Sequence, residues 1–200
     1  MANRCYVVYK CFGHTSDIIE LKQILDKLGD SGQGYAIDDA IQGIIKAKNL
    51  EYDDRSFDCR GIVEYVSINE KERYLAIVMD TAWCEQFNFR KFLEEVYKNM
   101  KVYYLEEEFC TDMYYTNDPF YHYFPDRYAI FFEGGEKTDY YYYKDIDALI
   151  FGLEELTEIE FTKSRDIKGI EEFIEDYNND EVNQDLYYSL TLHELTYVFD

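Results

Sequence analysis

Basic residues are scarce in this 200-residue chain: 20 Lys and Arg stand against 42 Asp and Glu, for a formal net charge of −22. Phosphate contacts from Lys and Arg supply most of the affinity for nucleic acid, so no direct DNA or RNA ligand is expected. The same sign argues against anionic membranes. Long apolar runs are missing as well; none approaches the roughly 18 to 20 residues of a membrane helix. The opening Met1-Ala2-Asn3-Arg4-Cys5 has no apolar stretch of the signal-peptide kind, which makes the cytoplasm the expected compartment. The five cysteines, Cys5, Cys11, Cys59, Cys84 and Cys110, are odd in number and contain no CxxC, so neither a disulfide framework nor a zinc ribbon is indicated.

Sites of chemistry are equally sparse. Gly32-Gln33-Gly34 lacks the GK[ST] of a phosphate cradle, and Gly134-Gly135 reads as a turn. Asp176-Tyr177-Asn178-Asn179-Asp180 matches the first three ligand positions of a calcium loop. It then places Glu181 where the sharp turn needs glycine and Tyr187 where a bidentate Glu should close the sphere. No metal and no cofactor are expected. His14, His122 and His193 have no sequence partner that would build a nucleophile and base, so no catalytic residue is assigned. Cys84, next to Trp83 at an expected strand-to-helix junction, comes nearest, because a helix N-terminus lowers a thiol pKa. A packed or merely exposed thiol is still the preferred reading.

What is present is hydrophobic periodicity. Arg4–Gly13 alternates as a strand, and Ile18, Leu21, Leu25 and Leu28 form a helical stripe behind Ser16 as N-cap. Residues 30–60 read as an insertion with its own helix through Ile37, Ala40, Ile41, Ile44 and Ile45. Gly61–Asn69 and Tyr74–Ala82 are two strands of a hairpin. A helix follows from Glu85 to Asn99, then a strand from Lys101 to Phe109. Strand, helix, strand, strand, helix, strand is the ferredoxin-like βαββαβ order of an α+β protein. Both faces of the first strand are apolar, so the second half of the chain or a partner is expected to cover the helix-free face.

Residues 111–200 form the acidic second half. Counted from residue 101, 25 Asp and Glu face 7 Lys and Arg, yet 15 of the 22 tyrosines lie there too. Acidic stretches poor in aromatics stay disordered; this one has the apolar bodies to fold. An aromatic loop, Met113–Pro125, holds both prolines. The expected elements are strands Arg127–Glu133 and Glu136–Tyr143, a helix capped by Asp145, a short strand near Glu158–Thr162, a helix Asp166–Tyr177, a polar loop Asn178–Gln184 and a strand Leu186–Leu192. In the run Tyr140–Tyr143 two rings should point inward and two outward. Tyr114, Tyr115, Tyr121, His122 and Tyr123 are candidate binding residues, with loop-over-sheet packing as the competing role.

Asp80-Thr81-Ala82-Trp83 leading into the second helix, together with the opening through Asn3 and Cys5, resembles the YubB-like family of bacterial, plasmid and phage proteins over residues 1–110. That family typically follows Thr-Ala-Trp with Ser-Pro-Pro, where this chain has Cys84-Glu85-Gln86. The resemblance implies a ferredoxin-like domain and a mobile-element setting, and it singles out Trp83, whose expected role is an indole packed between hairpin and helix. Two functions stay open. One is a non-enzymatic interaction protein, in the limit a DNA mimic, that binds a basic or DNA-binding protein. The other is a small-ligand binder or enzyme with an aromatic and acidic pocket between the halves.

Overall fold

The architecture, seen in a computed structural model, is described for residues 4–29, 34–51, 57–108, 112–135 and 137–199. Met1-Ala2-Asn3, the loop residues Ser31-Gly32-Gln33, residues 52–56 of the expected polar stretch, Phe109 at the end of an expected strand, Cys110 and Glu136 lie outside that set. Among the described residues are six helices and ten strands, an α+β content, and no helix is long and apolar enough to cross a membrane. The chain divides into two compact units, Met1–Glu108 and Phe109–Phe199.

The first unit runs β1 (Arg4–Phe12), α1 (Thr15–Asp26), β2 (Tyr35–Ala36), α2 (Ile37–Lys48), β3 (Gly61–Asn69), β4 (Tyr74–Ala82), α3 (Phe87–Val96) and β5 (Lys101–Glu108). Its strands lie side by side in the order β5-β1-β4-β3-β2, every neighbouring pair antiparallel. Alternation along β1 buries Cys5, Val7, Tyr9 and Cys11, and the register sets Val7 opposite Met79, Tyr9 opposite Ile77 and Cys11 opposite Leu75. Onto this face pack Leu21 and Leu25 of α1, Ile41 and Ile44 of α2, and Phe89, Phe92 and Leu93 of α3. Each such fully buried side chain contributes about 1.5–3 kcal/mol. On the opposite face Tyr6 and Tyr65 remain 43% and 54% exposed. Part of that face's apolar surface is met by its own aromatics, with Phe12 5.3 Å from Tyr74 and 6.0 Å from Tyr103 between ring centroids.

Three local expectations change. Helix α1 starts after His14, not Ser16: the extended His14 backbone leaves its carbonyl to accept from the Asp17 and Ile18 amides, and no side chain caps the helix. Strand β2 has no counterpart among the expected elements, since two residues are too short to show alternation. Helix α3 begins at Phe87, because residues 83–86 form a separate turn.

The second unit contains β6 (Met113–Thr116), β7 (Tyr128–Gly134), β8 (Lys137–Tyr143), α4 (Ile146–Thr157), α5 (Ile167–Asn179), α6 (Glu181–Asp185), β9 (Ser189–Glu194) and β10 (Thr196–Tyr197). Strands β8, β7 and β9 form an antiparallel sheet in that order, and β10 runs parallel to β6. Ile130, Leu190, Leu149, Leu153, Ile170 and Phe173 make the core between this sheet and α4 and α5. Asp145 caps α4 by accepting from the Ala148 amide, and Asp166 caps α5 through Gly169. Gly134 closes the ladder opposite Lys137, and Gly135 takes the left-handed φ of +61° that the reversal requires. Along β8, Tyr140 and Tyr142 are exposed while Tyr141 and Tyr143 are half-buried, the alternation expected of a strand.

The strand near Glu158–Thr162 does not form. Glu158 ends α4 in the left-handed region, and the following backbone is held instead by the Glu154 carboxylate, which accepts from the Phe161 amide at 2.9 Å. The expected polar loop Asn178–Gln184 is mostly helical, divided between α5 and α6. The last long strand starts three residues late, at Ser189, because Leu186 still completes a helical turn by donating to the Val182 carbonyl at 3.1 Å.

Candidate functional site

In the first unit the turn between β4 and α3 carries most of the buried polar chemistry. Thr81, at the end of β4, donates its hydroxyl toward the Cys84 carbonyl at 2.8 Å, and that carbonyl also accepts from Gln86 Nε2 at 2.8 Å. Gln86 Oε1 accepts from the Arg60 amide. The Glu85 amide donates to the Glu106 carboxylate at 2.5 Å. Glu85 in turn accepts from the Tyr9 hydroxyl at 2.6 Å and from Arg90 Nε at 2.8 Å, the Arg90 side chain being only 1% exposed. Arg90 also lies over the Phe87 and Tyr104 rings, 5.2 Å from each centroid.

These bonds pin Trp83 at a φ of +78°, a conformation that costs an L-residue about 1–2 kcal/mol. Trp83 is 55% exposed, which corrects the expectation of an indole packed between hairpin and helix: the left-handed backbone turns it outward. It lines a cavity of about 300 Å³ together with Asp58, Cys59, Arg60, Ala82, Cys84, Glu85, Gln86, Phe87 and Asn88. Cys84 is exposed there, but its thiol pKa is raised, by burial first and then by the charges of Glu106 and Glu85. The anticipated lowering at a helix N-terminus is absent because α3 starts three residues later and two carboxylates stand nearer. A thiolate nucleophile at neutral pH is therefore not supported. Burial also lifts the Glu106 carboxyl to about 6, the Glu85 charge adding to the rise while the Glu85 amide and Arg90 oppose it.

In the second unit the aromatic stretch begins as β6 and then folds around one carboxylate. Asp118, almost fully buried, accepts from the Phe120, Tyr123 and Phe124 amides, and its own amide donates to Thr116 Oγ1. Of the proposed binding residues, Tyr114 is buried and its hydroxyl donates to the Asp126 carbonyl at 2.8 Å, a structural role. Tyr115 and Tyr123 are half-buried. Tyr121, at φ +51°, lies under the Arg127 guanidinium at 3.7 Å, and the exposed His122 packs edge-on against Tyr123 at 4.9 Å. Tyr114 also packs against Tyr142 of β8, with 6.4 Å between ring centroids, and Tyr115 lies opposite Thr196 of β10. Trp83 belongs to the other unit and takes no part in these contacts.

Two features of the second unit have no counterpart in the sequence reading. His193, buried, places Nδ1 2.6 Å from Asp112 Oδ1, a pair 81 residues apart that no local spacing reveals. The other is α6. None of its residues is buried, and Val182, Leu186 and Tyr187 are 64%, 49% and 83% exposed. Val182 and Leu186, four apart, share one side of the turn. Exposed carboxylates are frequent in the same stretch of chain: Asp180, Glu181 and Asp185 on and beside α6, and Glu171, Glu172, Glu175 and Asp176 on α5. Lys168 pairs with Glu172 at 3.5 Å and Lys163 with Asp176 at 2.6 Å, whereas Glu171, Glu175, Asp180, Glu181 and Asp185 make no ion pair with any described residue. Asp180 is spent as the α6 N-cap and Asp176 on Lys163, so the calcium-like spacing has a structural account. Among the described residues no group of three or more His, Cys, Asp or Glu could hold a metal ion.

No family model matches the chain, and no match was found among curated proteins or among solved structures.

Proposed function

We propose that this is a non-enzymatic interaction protein whose second unit docks on a basic protein surface, of the kind that otherwise binds nucleic acid. The observation that carries this reading is the α5–α6 segment, where exposed Val182, Leu186 and Tyr187 lie in the same stretch of chain as Glu175, Asp180, Glu181 and Asp185, exposed carboxylates that make no ion pair with any described residue. Exposed apolar side chains beside charged ones are interface material. The charge selects the partner's sign and speeds encounter. Along α5 Glu171 and Glu175, which make no ion pair with any described residue, repeat at about 6 Å from the helical rise, while Glu172 and Asp176 are paired with Lys168 and Lys163. A rigid row of negative charges at that spacing can compete with a phosphate backbone for the same cations.

For the first unit, we read the strand order β5-β1-β4-β3, with α1 and α3 on one face, as a ferredoxin-like split βαβ domain, with β2 and α2 inserted. The YubB-like resemblance implies the same fold, although the comparisons lend it no support.

The test is affinity capture from a bacterial lysate on the immobilised chain, at low and at high salt. Retained proteins should be basic, should elute as salt rises, and should be displaced by added duplex DNA. The double variant Leu186→Ser with Tyr187→Ser should lose them while keeping its circular dichroism. Capture that ignores salt, or that the variant retains, contradicts the proposal.

A further inference from the structure

We infer that the groove between α5 and the outer edge of β9 takes an extended, lysine-bearing segment of the partner as an added strand. This deepens the docking proposal and rests on it for the partner's basic character. In the sheet order β8-β7-β9 the last strand pairs on one side only, and no described strand meets its other edge. The Leu190 amide and carbonyl point to that outer edge, because both are bonded to the Asn178 side chain, at 2.8 Å each, and not to β7. Backbone direction repeats every second residue in an antiparallel strand, so the Leu192 amide and carbonyl point outward as well. No described residue bonds to them. Asn178 thus closes the edge at Leu190 and leaves it open at Leu192, where an incoming backbone can add two hydrogen bonds.

The groove itself selects the sign of that segment. It holds about 570 Å³ and its lining contains no Lys, Arg or His. Ile174 and Leu190, both buried, and the half-buried Leu192 supply its apolar floor. Glu171 and Glu175 stand over that floor, exposed and in no ion pair with any described residue. Four residues apart on α5, they repeat at about 6 Å along the helix. Alternate side chains of an extended strand repeat at about 7 Å, so lysines two apart can each reach one carboxylate. Their aliphatic stems then lie along Ile174 and Leu192 while the ammonium groups stay in water. A second copy of this chain, at a net charge of −22, has the wrong sign for the same place.

The probe is the peptide acetyl-Val-Lys-Val-Lys-Val-amide, titrated into the full chain and followed by NMR at constant ionic strength. Binding should saturate. The same peptide N-methylated at both lysine amides, which can no longer donate to β9, should bind about threefold more weakly or worse, and its glutamate analogue should not bind. Hydrogen exchange of the Leu192 amide should slow about fivefold or more at saturation, while that of Thr191, already in the ladder with β7, stays as it was. Glu171→Gln with Glu175→Gln, both at exposed positions, should weaken binding about threefold or more. No saturation, equal binding of the N-methylated or glutamate peptide, an unchanged Leu192 amide, or unchanged affinity in the double variant overturns the inference. Leu186→Ser with Tyr187→Ser leaves the groove lining intact and should bind the peptide as the parent does. Peptide failure alongside salt-dependent capture by the parent chain overturns the added strand and leaves the docking proposal standing; peptide binding without capture does the reverse.

Discussion

A carboxyl group withdrawn from water holds its proton more tightly unless a full counter-charge replaces the lost hydration, and Glu106 is in that position. Its neighbour Glu85 has taken the Arg90 guanidinium, leaving Glu106 a backbone amide and a share of Arg90's field. Its carboxyl is therefore raised from 4.5 to about 6 in the folded chain. A raised folded pKa means that protonation favours the fold: the contribution is complete below about pH 4.5 and is lost as pH rises through about 6. The penalty at neutral pH is about 2 kcal/mol. Glu106→Gln keeps an acceptor for the Glu85 amide without the charge. Urea denaturation should find it more stable than the parent at pH 8 by about 1–2 kcal/mol, with the gap closing near pH 4.5; a constant offset at both pH values would count against this account. Little of this network could be read from residue types. Arg90 occupies an inward position of α3 beside Phe89 and Leu93, and the sequence reading missed it; a charge at an apolar spacing was the one signal that could have exposed its burial. The Glu85 and Glu106 partners come from a turn and a strand that meet only in the folded sheet, and the His193 and Asp112 pair was hidden for the same reason.

At the level of elements, the strands and helices with a strong apolar period were legible, because burial of one face decides them. Strands β3 and β4 begin and end where the two β-rich runs do, on either side of the polar Glu70–Arg73 connection, and the Asp145 cap follows from one side-chain type before an apolar run. Elements with no buried face left no such trace. Helix α6 is held at its start by Asp180, whose carboxylate accepts from the Val182 amide at 3.0 Å and the Asn183 amide at 3.3 Å, and by the Asn183 side chain, which donates to the Tyr177 carbonyl at 2.9 Å. Removing the cap with Asp180→Ala should cost about 1 kcal/mol locally. Five residues without core contacts cannot stand that, so hydrogen exchange of the amides 182–186 should accelerate about fivefold or more while the amides of α5 are unchanged. If the α6 amides exchange at the parent rate, something other than the cap holds the turn. The same variant should weaken partner capture, since Val182 and Leu186 would no longer share a side.

Across the whole molecule charge sets the behaviour more than any other property. Two separate cores, one around Val7, Ile77 and Phe92 and one around Ile130, Leu149 and Ile170, supply the apolar burial, and the carboxylates stay almost entirely outside them. Composition alone gave the excess of 42 acids over 20 bases; it could not say that Glu171, Glu175 and Glu181 are exposed and make no ion pair with any described residue, because that depends on where the fold brings the lysines and arginines. Like charges at this density repel one another in the compact state more than in the expanded one. Salt shortens the screening length from about 30 Å at 0.01 M to about 3 Å at 1 M. Raising sodium chloride over that range should thus increase the thermal midpoint by several degrees, about 1–2 kcal/mol for a chain of this size. Partner binding driven by the same acids must move in the opposite direction, weakening as salt rises. Scanning calorimetry and capture at matched salt concentrations would show both trends together if the acidic surface acts as proposed. A surface that served only solubility would give the first trend without the second.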